Sequence, residues 1–211
     1  MKSEKSGRIF QNDLLEKLSQ AHPVLNTSVG LALAGLCVAQ VQFGALGALR
    51  SILTLGLMIF AWTLIEYAMH RFIFHWTPSS AAGARMMYLV HEYHHDYPNV
   101  RSRSMFPLVV SLPLALVAWL LLSALLPKNI GLLSFSVLVF MFTAYDLVHC
   151  LHHSSTRLMP GLKRRHMLHH FRDHGSNFGV TTNLWDWAFR SLGHEKTLQP
   201  GADEGSSASA T

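Results

Sequence analysis

Ser51-Ile-Leu-Thr-Leu-Gly-Leu-Met-Ile-Phe-Ala-Trp-Thr-Leu-Ile-Glu66-Tyr-Ala-Met-His70-Arg-Phe-Ile-Phe-His75 is an apolar run that ends in histidines. Residues 51–69 carry one charge, Glu66. As a helix rising ~1.5 Å per residue they match the ~30 Å hydrocarbon layer of a bilayer. The run therefore reads as a membrane span that delivers a histidine cluster to one face of the membrane.

The same pattern extends on both sides. From Ser28 to Met69 only Arg50 and Glu66 are charged, and one helix of that length would be about twice the bilayer thickness. Two spans are expected, 28–46 and 51–69, turning at Gly44, Gly47 and Arg50. A second apolar block, Ser104 to Tyr145, is broken by Pro127-Lys128-Asn129 and predicts spans at 105–126 and 130–148. Pro107 falls in a first turn, where proline is tolerated, and Pro113 predicts a kink. This span, too, runs into histidine, at His149. Between the blocks, Thr77-Pro78 and Tyr97-Pro98 act as breakers and leave Ala81 to His95 as one helix. The expected fold is all-α and integral to the membrane, with four transmembrane helices in two hairpins. Residues 28–198 form the membrane domain, residues 1–27 a cytosolic arm with a short surface helix over Ile9–Leu18, and residues 199–211 a disordered tail with little to bury.

Composition agrees. Half of the 211 residues are hydrophobic and 14% are charged, against ~25% charged in a soluble domain. A net charge of +5 would suggest nucleic acid in a soluble protein, but the cations share no amphipathic face. Their distribution reports topology instead. Of 17 Lys and Arg, four lie in 1–27, four in 68–104 and seven in 149–211, with Arg50 and Lys128 alone at the opposite hairpin tips. The positive-inside rule then puts both termini and all the histidine clusters on the cytoplasmic side. The first apolar stretch starts too late and runs too long for a cleaved signal peptide. Cys37 and Cys150 form no disulfide framework and read as reduced thiols, Cys150 as a small apolar filler.

Eleven of the 14 histidines fall in four clusters: His70/His75, His91/His94/His95, His149/His152/His153 and His166/His169/His170. A solitary histidine is ordinarily a satisfied core residue, which is the reading given to His22 and His194. Four clusters on one membrane side read as metal ligands, since neutral imidazole binds transition metals. Three clusters share the spacing His-x-x-His-His, which on a helix puts three rings on one face, directed to one point. In the first cluster the rings lie five residues apart, about 140° around a regular helix, so that cluster is expected where the span frays. Ten or eleven imidazoles exceed the places around one ion, so two ions are expected; iron, zinc and copper are not distinguished by the ligands alone. Glu66, Glu92, Asp96, Asp146 and Asp173 lie near the clusters and are expected to accept ring N–H groups. A metal transporter would place polar groups at mid-membrane; only Gln40, Gln42 and a few hydroxyls are there. Trp185, Trp187 and Phe189 read as packing or interfacial anchors more than as a substrate path.

These stretches resemble the fatty acid hydroxylase/sterol desaturase superfamily, and within it the fatty acid 2-hydroxylases. The resemblance rests on His70-Arg-Phe-Ile-Phe-His75, His91-Glu-Tyr-His94-His95-Asp, Tyr145-Asp146-Leu-Val-His149-Cys-Leu-His-His153 and Leu162-Lys-Arg-Arg-His166-Met-Leu-His169-His170-Phe-Arg-Asp. It continues through Asn177-Phe-Gly-Val-Thr-Thr-Asn-Leu-Trp-Asp-Trp-Ala-Phe189. It implies a four-helix anchor under a cytosolic helical cap holding two metals, most readily iron, with zinc able to replace it in purified protein. The implied ligands are His70, His75, His91, His94, His95, His149, His153, His166, His169 and His170. Of the carboxylates near the clusters, Glu66, Asp146 and Asp173 are the ones expected to support the rings. His152 is an extra histidine outside the pattern, and His174 also stands outside it. The implied activity is a dioxygen-dependent monooxygenase acting on a lipid acyl chain, favoured as fatty acid or sphingolipid 2-hydroxylation. Sterol or carotenoid hydroxylation, desaturation and non-enzymatic metal binding are the alternatives. Many eukaryotic relatives carry an N-terminal haem domain; the first 27 residues are too few for one, so a separate electron donor of haem or ferredoxin type is expected. Nucleic acid is not an expected partner.

Overall fold

A computed structural model describes residues 8–193; the expected disordered tail lies outside these residues. Within them the chain is helical. A short helix, α1 (Asp13–Leu18), is capped by Asn12, whose side chain accepts from the N–H groups of Leu14 and Leu15. It lies within the surface helix expected over Ile9–Leu18 and turns Leu14, Leu15 and Leu18 outward. Helix α2 (Pro23–Ala39) opens with proline at its first turn and a cap in which His22 Nδ1 accepts from the Leu25 N–H. That gives the isolated His22 a structural role. A single turn, α3 (Phe43–Leu46), leads to Gly47, whose φ of 81° and ψ of 151° suit glycine alone, and then to α4 (Ala48–Ala68).

Helix α4 does not fray at its end, as the five-residue spacing of His70 and His75 predicts. It continues as a π-helical turn, Met69–Phe74. In a π-turn the i→i+5 bonding returns about every fifth residue to the same side, so the two rings come together without loss of helix. The same device recurs in the next helix, built from α5 (Ala81–Met87), a π-turn (Tyr88–Glu92) and α6 (Tyr93–Asp96). Then follow α7 (Leu108–Leu125), which contains Pro113, α8 (Lys128–His152), α9 (Pro160–Phe171) and α10 (Leu184–Ala188).

Helix α8 is the central post. Its buried face, from Gly131 to His152, receives α2, α4 and α7. Helix α2 approaches it closely at Gly30, where a side chain would collide with Thr143. By contrast, α7 fully buries none of its side chains. Among the described residues, three stretches are long and apolar enough to cross a membrane: Ala48–Phe74, Arg101–Leu125 and Lys128–His152. The expected first span, 28–46, is instead a helix of 17 residues that begins earlier and ends at Ala39. Its start is set by His22-Pro23, a cap followed by a proline that favours the first turn. The two cysteines are free thiols, and Cys150 is buried against Ala21 and Met105.

The N-terminal arm is locked to the site-bearing end of the bundle by buried charge. Arg103 pairs with Glu16, donates to the carbonyl and hydroxyl oxygens of Ser19, each at 2.7 Å, and lies over the Tyr93 ring at 4.8 Å. Asn26 donates to the Phe106 carbonyl at 2.6 Å. Removing one partner of a buried ion pair leaves the other charge uncompensated, which costs about 3–5 kcal/mol. Arg103→Ala is therefore expected to lower the thermal midpoint by several degrees and to expose α1 to proteolysis, measured on detergent-solubilised protein.

Candidate metal centre

Ten histidines converge at the end of the bundle where α4 and α8 finish. They form two groups of five: His70, His75, His91, His95 and His169, and His94, His149, His153, His166 and His170. Each residue offers one ring nitrogen, and within a group these nitrogens lie within 4.8 Å of one another. The His-x-x-His-His spacing does not aim three rings at one point. In the second cluster the i and i+4 rings, His91 and His95, enter the first group while His94 enters the second. In the last cluster the assignment is reversed: His166 and His170 enter the second group and His169 the first. The third ring therefore crosses to the other centre, and α6 and α9 each tie the two groups together.

The nitrogens within a group stand at ligand-to-ligand distances. Nε2 atoms are separated by 3.1 Å for His70/His91, 2.9 Å for His91/His95 and 3.1 Å for His75/His169. In the other group, His94/His153 are at 3.0 Å and His153/His166 at 2.8 Å. With metal–nitrogen bonds of about 2.1 Å, neighbouring ligands at right angles stand about 3 Å apart. Backbone carbonyls fix the ring orientation in three cases: His70 Nδ1 donates to Phe178 O at 2.5 Å, His149 Nδ1 to Ser104 O at 2.8 Å and His169 Nδ1 to Ser176 O at 2.8 Å. A neutral imidazole has one N–H, so the Nε2 of each presents a bare lone pair to the group. The Nε2 of His149 and both ring nitrogens of His170 also lack hydrogen-bond partners among the described residues. Facing lone pairs repel in a dry site and are reconciled by a cation between them. The donor set fits two transition-metal ions.

Carboxylates support the rings at one remove, not by the direct contact expected of them. Among the described residues, Glu66 takes the N–H groups of Val180 and Thr181, at 2.7 and 2.8 Å, and the Thr181 hydroxyl. Asp186, which sequence reasoning did not single out, takes the N–H groups of Phe178 and Gly179 at 2.9 and 2.7 Å. Together they clamp the strip whose carbonyls hold His70 and His169. Asp146 does the same from α8: it accepts the Phe106 N–H at 3.1 Å, close to the Ser104 carbonyl that holds His149. Asp173 instead closes a local turn on Gly175 N–H at 3.0 Å. The strip admits no side chain at Gly179, where a Cβ would stand 1.9 Å from the Thr182 carbonyl oxygen. The signal for this clamp was present in the Phe-Gly-Val…Leu-Trp-Asp stretch, but its backbone role has no signature in residue type.

His152 and His174 lie outside both groups. His152 is buried with its ring 5.6 Å from that of His166. His174 donates from Nε2 to the His170 carbonyl at 3.1 Å and packs beside His95. The aromatic run near the C-terminus packs on α4: Trp185 Nε1 donates to Thr63 at 2.9 Å and Phe189 stacks on Tyr67. Trp187 is exposed.

The chain has counterparts among known proteins. The profile of the fatty acid hydroxylase family matches residues 55–191, from mid-α4 to just beyond α10. The chain belongs to the fatty acid hydroxylase family. It is 33% identical over 190 residues to a dihydroceramide fatty acyl 2-hydroxylase of Arabidopsis thaliana, covering 88% of this chain and 79% of that protein. It is 38% identical over 144 residues to a fatty acid 2-hydroxylase of Macaca fascicularis, covering 65% of this chain and 39% of that protein. The matched part is thus well under half of the macaque protein's length. The solved structure of full-length scs7p, in which only the hydroxylase domain is visible, superposes with a TM-score of 0.75 at 29% identity, covering 89% of this chain and 72% of that one.

Burial holds the family's histidines here in their neutral form. Desolvation, aided by neighbouring imidazoles, lowers His75 to about 4, His95 and His153 to about 2 and His169 to about 3, and takes His91, His94 and His166 well below the usual 6.5. In the unfolded chain these rings protonate near 6.5. Because the folded values are depressed, their contribution to stability is complete above that pH and is lost as pH falls toward the folded values. Metal-stripped protein is expected to show a thermal midpoint that is flat above pH 7 and drops steadily from about pH 6.5 to pH 4, read by differential scanning fluorimetry.

Proposed function

We propose that the two histidine groups each hold one iron ion and that the protein hydroxylates a lipid acyl chain at the carbon next to its carbonyl. The observation that carries this reading is the pair of five-histidine groups at the head of an apolar bundle, in a chain of the fatty acid hydroxylase family. His70, His75, His91, His95 and His169 would hold one ion, and His94, His149, His153, His166 and His170 the other. Iron supplies dioxygen activation and oxidation of the C–H bond: one oxygen atom enters that bond and the other leaves as water, with two electrons and two protons supplied. The electrons come from a separate donor of haem or ferredoxin type. The chain's own part is to keep the rings neutral, to fix their lone pairs inward through the carbonyls of Ser104, Ser176 and Phe178, and to keep the site dry.

Four spans serve this reading best. Helix α2, at 17 residues, reaches about 26 Å, short of the ~30 Å layer by an amount that local thinning of the bilayer absorbs. Helices α2 and α4 form one hairpin and α7 and α8 the other. The excess of Lys and Arg beside the histidines sets that end, and both termini, on the cytoplasmic side. Lipid substrate then reaches the centre from the bilayer without crossing water. The unit that does this begins with α2 at Pro23, ahead of the expected residue 28, which leaves residues 1–22 as the cytosolic arm.

Expression in a host that makes no 2-hydroxylated lipids, with a competent reductase system, tests the reading by lipid mass spectrometry. Acyl chains gain one oxygen beside the carbonyl, and anaerobically purified protein carries about two metal ions. His169→Ala abolishes the product, whereas His152→Ala retains both product and metal. Unchanged lipids with metal-loaded protein and an active donor would refute the activity.

A further inference from the structure

We infer that the cavity between α2, α4, α7 and α8 receives the distal part of the acyl chain, and that Phe135, backed by Trp119, is the floor that limits chain length. This rests on the acyl-hydroxylase reading above. The cavity measures about 310 Å³. Its upper end is formed by Phe74, Phe106 and Tyr145, and its lower end by Leu33, Ala118 and Phe135.

The upper end lies one ring away from both histidine groups. Phe74 stands 5.3 Å from His91, and Tyr145 stacks on His149 at 5.9 Å. A chain entering here is presented to both groups at once. The two carboxylates that reach the wall, Glu66 and Asp146, are occupied by backbone N–H groups, so the walls offer a hydrocarbon tail an apolar sleeve. The outer wall is α7, which fully buries none of its side chains; a lipid chain can therefore enter from the bilayer past this helix.

The lower end is closed. Phe135 is 3% exposed and belongs to a cluster with Ala34 and Val139, against which Leu33, Ala115, Ala118, Trp119 and Leu122 pack. The rings of Trp119 and Phe135 are 5.2 Å apart. In this layer α2, α7 and α8 meet, and the cavity lining reaches no deeper on these helices than Leu33, Ala118 and Phe135. Depth follows from helical rise. From Tyr145 to Phe135 on α8 the rise is about 15 Å. An extended chain advances about 1.25 Å per methylene, the projection of a ~1.5 Å carbon–carbon bond, so the sleeve takes about twelve methylenes. The step from the Tyr145 ring to the His149 ring, 5.9 Å, takes about four more. With the reacting carbon at the histidines and the carboxyl end beyond it, the structure suits acyl chains of about 16 to 18 carbons.

The test uses full-length protein in the host described above, fed an equimolar mixture of saturated acids from about 14 to about 24 carbons. The 2-hydroxy product of each length is measured by mass spectrometry against its own pool. Wild type should fall off sharply beyond about 18 carbons. Phe135→Ala removes the floor and is expected to raise the ratio of 22-carbon to 16-carbon product about tenfold, at the lower bound for discriminating apolar chains by pocket size. Phe135→Leu, a milder truncation that preserves packing, should shift the same ratio in the same direction. Ala118→Phe fills the lower cavity and should shift the profile toward shorter chains by a similar factor. Leu116→Phe, on the lipid-facing side of the same helix, should leave the profile unchanged. Profiles identical to wild type for Phe135→Leu and Ala118→Phe, with hydroxylation intact, would overturn the floor while leaving the acyl-hydroxylase reading standing. Absence of any hydroxylated acyl product from wild type would overturn that reading and this inference with it.

Discussion

The candidate centre depends on a relay from carboxylate to backbone to imidazole. Glu66 and Asp186 hold four successive N–H groups, those of Phe178 to Thr181, so the strip from Ser176 to Thr181 cannot relax. Its carbonyls at Ser176 and Phe178 then hold His169 and His70. On the opposite side, Asp146 holds Phe106, and the nearby Ser104 carbonyl holds His149. A direct carboxylate–imidazole contact would bring negative charge against the ring and favour its protonated form. A carbonyl fixes the tautomer with only a dipole, and the carboxylate's charge is spent on N–H groups. The arrangement is consistent with a site in which ten rings stay neutral in a dry space.

The π-turns are the second constraint. A regular α-helix would carry His75 about 140° away from His70. The inserted residue in Met69–Phe74 returns it, and the helix remains unbroken from the bundle into the site. The turn at Tyr88–Glu92 rotates His91 in the same way. Rigid helices thereby place the rings with a precision that loops would not give. The exchange of His94 and His169 between the groups adds a cross-brace, because displacing α6 or α9 disturbs both groups at once.

Much of this could be read in the residues. Apolar runs ending at His70 and His149 revealed helices that lead into the histidines, and the repeated spacing revealed which rings belong together as clusters. The helical fold class follows directly from those periods. Three features were hidden. The start of α2 at Pro23 depends on a histidine cap, which a hydropathy pattern does not register. The division of the second and fourth clusters between two centres depends on helix placement in three dimensions, since i, i+3 and i+4 share a face but not a target. Support of the rings by the carbonyls of Ser104, Ser176 and Phe178 involves backbone atoms that every residue possesses. Residue type therefore pointed to Glu66, Asp146 and Asp173 as direct partners, whereas geometry gives the first two an indirect role and Asp173 a local turn.

The central claim is that this relay organises two metal sites from beneath. Asp186 touches no histidine, so Asp186→Ala tests it most directly. The measurement is iron or zinc affinity of the purified protein by competition with a chelator, with helix content followed by circular dichroism. The relay predicts metal binding weaker by about 10- to 100-fold with helix content preserved. Wild-type affinity in a folded Asp186→Ala protein would contradict it.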